Sequence, residues 1–138
     1  MSEENAKLMQ AWREAWNAGD MDAVREFYDP DVVVRPNKDW PERGLFFGRE
    51  AVMEWFEQLR DTWDTLVIET ISQTDAADRM VERLISRGTG RGPVYGAEFT
   101  TITTVRMGKV LYVEFFWNHA EALEVVGLLE QDAHADST

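Results

Sequence analysis

The sequence predicts an α+β fold in which a mostly antiparallel sheet wraps around N-terminal helices. Apolar residues recur at every third or fourth position through much of residues 5–63, which is the spacing of amphipathic helices. Residues 66–117 instead hold long runs rich in Val, Ile, Thr and Phe, which is typical of a strand meander. In the last run alternate residues share a face, so Glu114 should point away from the core. The residues expected to face a core or pocket there are Leu111, Val113, Phe115 and Trp117.

Two helices and a strand are expected first. The first helix has an apolar stripe of Leu8, Met9, Trp12, Ala15 and Trp16. Ser2 is its candidate N-cap and Gly19 its expected stop, because glycine readily adopts the left-handed conformation that ends helices. Asp20 can cap a second, shorter helix. The apolar positions of that helix are Met21, Val24, Phe27 and Tyr28. Asp29–Pro30 should end it, since the residue before proline avoids helical angles, and Val32–Val34 then fits a buried strand.

A loop with many aromatic residues separates this strand from a third helix. Residues 37–48 combine proline and glycine with Trp40, Leu45, Phe46 and Phe47, so we expect the loop to fold over apolar groups. A helix should begin at Arg49, because apolar residues again follow at spacings of three and four. They are Val52, Trp55, Phe56, Leu59 and Trp63.

Four strands and a short helix complete the expected order. The first three strands are predicted at Leu66–Thr74, Arg79–Arg87 and Tyr95–Met107. The glycines of 88–93 indicate a connection, and Met107–Lys109 indicates a tight hairpin turn into the final strand. Asn118 lies near the N-cap of a last helix over 119–128. We expect one domain over residues 1–129, followed by a polar tail at 130–138.

Composition narrows the possible functions. The 14 Lys and Arg against 26 Asp and Glu give a net charge of −12, and the basic residues are scattered singly, so nucleic acid is an unexpected partner. No apolar run is long enough to span a membrane and the first residues are acidic, which favours a cytoplasmic protein. With no Cys and two His, neither a metal site nor a cofactor is expected. Any chemistry would use carboxylates, Arg, Tyr or the backbone.

Three short motifs carry a resemblance to a known family. Residues 16–22, Trp-Asn-Ala-Gly-Asp-Met-Asp, resemble a helix junction of the SnoaL-like branch of the NTF2-like superfamily. Residues 46–52 are similar to the start of its next helix, and residues 108–110, 117–123 and 127–128 are similar to its C-terminal segment. The resemblance covers about 5–129. It implies an NTF2-like cone, with a curved sheet, an internal cavity and, usually, a homodimer.

The same resemblance implies several possible activities, since the superfamily includes ketosteroid isomerase, polyketide cyclases, scytalone dehydratase and limonene-epoxide hydrolase. The usual catalytic carboxylates are absent here. Arg35 stands where the isomerase base is expected, and Trp12 stands in place of its tyrosine. Thr101–Thr103 occupy the strand of its second carboxylate, and Phe115 replaces the last-strand Asp of the epoxide hydrolase. Fold alone therefore does not name a reaction.

Tryptophan is unusually frequent, with six in 138 residues. Some must pack in the core, but several together favour a pocket for a small apolar or planar molecule. The residues expected to line it are Trp12, Trp16, Phe27, Trp40, Phe46, Trp55, Leu59, Phe99, Thr101, Thr103, Val113, Phe115 and Trp117.

Two charged residues offer an alternative, enzymatic interpretation. Glu82 and Arg83 lie on opposite faces of one strand, and the apolar pattern leaves open which of them faces the cavity. An inward charge needs a partner or a ligand, so either residue is a weak candidate for catalysis of the cyclase, isomerase or dehydratase type. A further alternative is a non-catalytic module that forms homodimers through the convex face of the sheet. That face is expected to include Tyr112, Glu114 and Phe116.

Overall fold

A computed structural model describes residues 2–36, 44–90 and 95–127 of the chain. The helices in these ranges are α1 (Ser2–Asn17), α2 (Met21–Glu26), α3 (Arg49–Asp61) and α4 (His119–Val125). The strands are β1 (Tyr28–Arg35), β2 (Phe46–Phe47), β3 (Thr65–Ala76), β4 (Arg79–Thr89), β5 (Tyr95–Arg106) and β6 (Lys109–Phe116). Trp40 and the tail at 130–138 lie outside the described residues.

All six strands form one sheet in the order β2-β1-β6-β5-β4-β3. β1 runs parallel to β6, and the other neighbouring pairs are antiparallel. The α+β class and the mostly antiparallel sheet are therefore confirmed. The sheet is curved and unclosed, with α1 and α3 packed against its concave face and α4 against its convex face.

Short polar side chains set the helix boundaries where the sequence predicted. Asp20 Oδ1 accepts a hydrogen bond of 3.1 Å from the Ala23 N–H and caps α2. Asn118 caps α4 in the same way, accepting from the Glu121 N–H at 3.1 Å. Gly19 has φ +74° between α1 and α2, which is the backbone conformation expected of a helix stop.

Two boundaries near the first strand differ from the prediction. α2 ends at Glu26, and Tyr28 opens β1 instead of closing the helix, because it pairs with Val110 of the parallel strand β6. The loop also contributes β2, in which Phe46 pairs with Val34 of β1 and Phe47 pairs with Val33. A two-residue strand is too short to produce a recognisable alternation.

The β5–β6 hairpin has the tight turn that the sequence predicted. Met107 (φ +53°) and Gly108 (φ +74°) both adopt left-handed backbone angles, which match the twist of the flanking strands. The β3–β4 hairpin turns at Ala77, which also has a positive φ, +64°. Because a Cβ disfavours this conformation, Ala77 is a strained position.

Apolar side chains form two clusters, one on each face of the sheet. The larger lies between the concave face and α1 and α3, and it includes Trp16, Val34 and Phe56. The smaller lies between the convex face and α4. Its buried residues are Val81, Ile102, Phe116, Ala122 and Leu123.

β3 is an edge strand whose first half is held by side chains of α1 and α3. Asn17 Nδ2 donates to the Ile68 carbonyl at 3.0 Å, and Asn17 Oδ1 accepts from the Ile68 N–H at 2.8 Å. The Leu66 carbonyl accepts from Trp16 Nε1 at 3.0 Å and from Arg60 Nη1 at 3.1 Å. These bonds satisfy backbone groups that an edge strand would otherwise leave open.

β6 does not keep a strict alternation. Thr104 pairs with Tyr112 but Val105 pairs with Val110, so Leu111 is an extra residue in a β-bulge. Val110 and Val113 consequently share the concave face. The expectation that Leu111 points inward with Val113 is wrong, because the bulge shifts the facing of the residues before it.

Candidate functional site

A cavity of about 290 Å³ lies between the concave face of the sheet and helices α1 and α3. Most of its wall is apolar, and Glu82 is the one charged side chain among the described residues that line it. The lining residues are Met9, Trp12, Trp16, Tyr28, Phe56, Leu59, Trp63, Leu66, Ile68, Glu82, Leu84, Ser86, Ala97, Phe99, Thr101, Thr103, Val110, Val113, Phe115 and Trp117.

Regular secondary structure explains why these residues meet. Met9, Trp12 and Trp16 follow one another at spacings of three and four, so α1 presents all three on one side. Alternate residues of β4 and β5 face the same space, as strand pleating requires. On these two strands they are Glu82, Leu84, Ser86, Ala97, Phe99, Thr101 and Thr103.

Aromatic rings in mutual contact stiffen the cavity wall. Trp12 and Trp16 are stacked with ring centroids 5.4 Å apart, and Phe56 meets Trp16 edge to face at 5.3 Å. Phe99 and Phe115 stack across neighbouring strands at 5.8 Å. Such geometries favour a well-defined wall over loosely packed side chains.

Glu82 sits in a polar cluster built from three separate elements. Its side chain is only 1 % exposed. Glu82 Oε2 accepts from Arg13 Nη1 of α1 at 2.5 Å and from Gln73 Nε2 of β3 at 2.7 Å. Glu82 Oε1 is buried and has no hydrogen-bond partner among the described residues. The carboxylate is thus neutralised and held through one oxygen while the other keeps its acceptor capacity.

Further polar groups accompany this carboxylate. Burial raises the pKa of the Tyr28 hydroxyl, and the nearby Trp12 indole opposes the rise. The Trp12 N–H is close to Tyr28 without reaching hydrogen-bond geometry, so Trp12 Nε1 is a buried donor with no partner in the described ranges. Thr101, which pairs directly with Glu82 across β4 and β5, and Thr103 bring hydroxyl groups to the same sheet face of the cavity.

The structure brings together most, but not all, of the residues expected at the pocket. Nine lie at the cavity wall: Trp12, Trp16, Leu59, Phe99, Thr101, Thr103, Val113, Phe115 and Trp117. Phe27 is packed against the core outside the lining. Phe46 stacks on Trp55 at 4.7 Å, and Trp55 belongs to the buried core instead of the wall. Trp40 lies outside the described residues.

Sequence reasoning missed several members of the site. Arg13 follows Met9 by four residues and precedes Trp16 by three, so helical spacing alone could have placed it beside the inward stripe. Gln73 gave no such indication, because its position opposite Glu82 depends on strand register after a bulge near Ile71.

Other candidate residues lie away from the cavity. Arg83 forms an exposed ion pair with Glu98, so it is Glu82 that points inward. Arg35 donates to the Tyr112 hydroxyl at 3.0 Å on the surface. The expected dimer face is reduced, because α4 of the same chain already covers Phe116.

The described residues contain no group of three or more His, Cys, Asp or Glu side chains arranged to hold a metal ion. Asp20 and Asp29, two of the acidic residues near the first turns, instead accept backbone hydrogen bonds. Within the described ranges, none of the helices has the length and apolar character needed to cross a membrane.

Comparison with known proteins identifies related sequences and folds. The model of the SnoaL-like domain family matches residues 9–113. No curated protein matched the chain. Among solved structures, TerC co-crystallised with polyporic acid is 17% identical and has a TM-score of 0.72, covering 89% of this chain and 98% of its own.

Two further structures share the architecture at similar distance. An NTF2-like protein of unknown function from Burkholderia pseudomallei K96243 is 18% identical, covers 90% of this chain and 98% of its own, and has a TM-score of 0.71. A protein from Catenulispora acidiphila DSM 44928 with a ketosteroid isomerase-like fold, in complex with trimethylamine, is 15% identical. It covers 88% of this chain and 92% of its own, with a TM-score of 0.69. At these identities the likeness shows the fold alone.

Proposed function

We propose that this protein, which belongs to the SnoaL-like domain family, binds a small, flat, mainly apolar molecule in the concave cavity. The observation that carries this proposal is a space of about 290 Å³ enclosed by stacked aromatic side chains. Ligand pockets of proteins commonly hold roughly 300–1,000 Å³. A volume near the lower end of that range suits a compound of two or three fused rings.

Two structural neighbours bear on the proposal without deciding it. TerC was crystallised with polyporic acid, and the Catenulispora protein was crystallised with trimethylamine. Both are small organic molecules, which supports small-molecule binding as the use of this cavity. Neither compound is assigned to the present chain.

A titration of intrinsic tryptophan fluorescence tests the proposal. The panel contains naphthalenes, anthraquinones, monoterpenoids and a steroid enone. Saturable quenching or enhancement is expected for at least one planar compound, because Trp12 and Trp16 lie in the wall. Trp12→Phe should weaken binding, whereas the matched change Trp55→Phe should leave affinity within about threefold, because Trp55 does not line the cavity and only supports Phe56 and Phe115 from behind. If no compound in the panel binds, the proposal is wrong.

A second candidate is an enzyme of the cyclase, isomerase or dehydratase type. The observation that favours it is the buried Glu82 carboxylate, whose Oε1 could accept a proton from a bound substrate. Ligand absorbance recorded during the same titration tests it. A time-dependent spectral change that disappears in Glu82→Gln would establish turnover, and stable spectra for every bound compound would leave binding as the function.

A further inference from the structure

We infer that Glu82 Oε1 is the polar subsite of the cavity and that it selects ligands carrying a neutral hydroxyl or N–H donor. This inference rests on the proposed binding function and deepens it. It assigns the class of ligand: a planar aromatic phenol, enol or ring N–H compound, with the donor group at one end and an apolar body.

The two oxygens of Glu82 have different surroundings. Oε2 already accepts from Arg13 and Gln73. Oε1 is buried but accepts nothing from the described residues. A carboxylate oxygen has lone pairs for about two donors, and a buried acceptor without a partner is unfavourable. A ligand that supplies a donor therefore gains a hydrogen bond that the described residues leave unmade.

Charge excludes ionised ligands from this position. Arg13 carries a positive charge at 2.5 Å from Oε2, so the pair is neutral as a unit. No other charged side chain of the described residues lines the cavity. A carboxylate ligand would be repelled by the Oε1 lone pairs and would find no unpaired cation among the described residues nearby. An ammonium group would lose its hydration energy, and the neutral pair would not compensate for that loss. A neutral donor avoids both costs.

The aromatic stacks of the cavity wall favour a planar body for the rest of the ligand. The ring stack of Trp12 and Trp16 stands on α1, and that of Phe99 and Phe115 on the sheet. A planar aromatic body can lie along such faces. Glu82 lines the same cavity, and because Oε1 itself is buried, a donor on the ligand's edge reaches it through a small rotation of the Glu82 carboxylate.

A pair of probes that differ only in the donor tests this inference on the unaltered protein. 2-Naphthol has a hydroxyl, and 2-methoxynaphthalene has the same rings with the donor blocked by a methyl group. Calorimetry should show 2-naphthol binding at least tenfold more tightly, because a hydrogen bond to a charged acceptor has about this effect. The anion 2-naphthoate should bind more weakly than 2-naphthol.

Two variants separate the hydrogen bond from cavity shape. In Glu82→Gln the amide oxygen can keep the donors of Arg13 and Gln73, which turns the NH₂ group toward the ligand and removes the acceptor. The preference for 2-naphthol should then fall to threefold or less. Phe99→Leu alters the wall without touching Glu82, so it should weaken both naphthalenes together and leave their ratio unchanged.

The outcomes distinguish this inference from the proposed function. If both naphthalenes bind with equal affinity to the unaltered protein, the cavity is a binding site but Oε1 does not select donors, and the inference is overturned. If the ratio survives in Glu82→Gln, another group selects the hydroxyl and the inference is again overturned. If neither naphthalene nor any other planar compound binds, the proposed function fails, and the inference fails with it.

Discussion

Asn17 offers the sharpest test of how the helices are attached to the sheet. Its amide makes two hydrogen bonds to a single residue of the edge strand, one with the Ile68 N–H at 2.8 Å and one with the Ile68 carbonyl at 3.0 Å. Ile68 is buried. Asn17 itself is exposed and both bonds are partly buried, so Asn17→Ala would leave a backbone donor and a backbone acceptor that water reaches only in part.

The size of the effect follows from these contacts. A fully buried backbone group left unpaired costs about 1–3 kcal/mol; because these two bonds are only partly buried, we count about 1–2 kcal/mol for each and roughly 2–4 kcal/mol for both. Alanine has the better helix propensity, which recovers roughly 0.5 kcal/mol or less at the last residue of α1. We expect the free energy of unfolding to fall by about 2–3 kcal/mol. For a chain of 138 residues this corresponds to a decrease in Tm of about 6–15 °C.

Urea denaturation and amide hydrogen exchange measure this change. The control is Gln10→Ala, which removes a side-chain amide from the exposed side of the same helix and should alter the free energy of unfolding by less than about 0.5 kcal/mol. The Ile68 amide should also lose its protection from exchange in Asn17→Ala. If Asn17→Ala is no more destabilising than Gln10→Ala, the Asn17 amide does not hold the edge strand, and the reasoning is refuted.

Three further predictions concern individual backbone and buried positions. Burial raises the pKa of the Tyr28 hydroxyl, so just above pH 10 the unfolded chain releases this proton while the folded protein keeps it. The contribution of Tyr28 to the free energy of unfolding is therefore complete below about pH 10 and is lost as the pH rises. Between about pH 10 and 11 the free energy of unfolding, measured by urea titration at each pH, should fall by up to about 1.4 kcal/mol more in the unaltered protein than in Tyr28→Phe. An equal decrease in both proteins would contradict this. Ala77→Gly should raise the free energy of unfolding by about 0.5–1 kcal/mol, and the Tm with it, because glycine adopts the φ of +64° at this position without strain. A lower Tm would show that the turn is not strained. Gly88→Ala should cost about 1–3 kcal/mol, since its Cβ would lie 2.7 Å from the Trp63 ring, whereas Gly96→Ala, with nothing within 4 Å, should be much milder in the same thermal melts.

Local features of the fold could be predicted from the sequence because their causes are local. Asp20 and Asn118 cap helices through hydrogen bonds to residues three positions later, and a sequence pattern of that length is enough to predict them. The turn at Met107–Gly108 was likewise visible from its glycine. Helical spacing placed Trp12 and Trp16 correctly on one side of α1.

The polar part of the site depends on interactions between distant residues. Whether Glu82 or Arg83 points inward is decided by the register of β4 against its neighbours, and both faces of that strand carry apolar residues. The partners of Glu82 come from positions 13 and 73, on different elements. Leu111 shows the same limit, because one extra residue in a strand reverses the facing on one side of it.

The bulges near Ile71 and Leu111 have a consequence for how this protein could change during evolution. A bulge bends its strand, so the hollow under the sheet follows in part from backbone curvature rather than from missing side-chain volume. Substitutions at the cavity wall can then change which molecules bind while the curvature of the sheet, and with it the cavity, is retained. Ile71 and Leu111 do not line the cavity, so the bulges that curve the sheet and the side chains that select a ligand can change independently of each other.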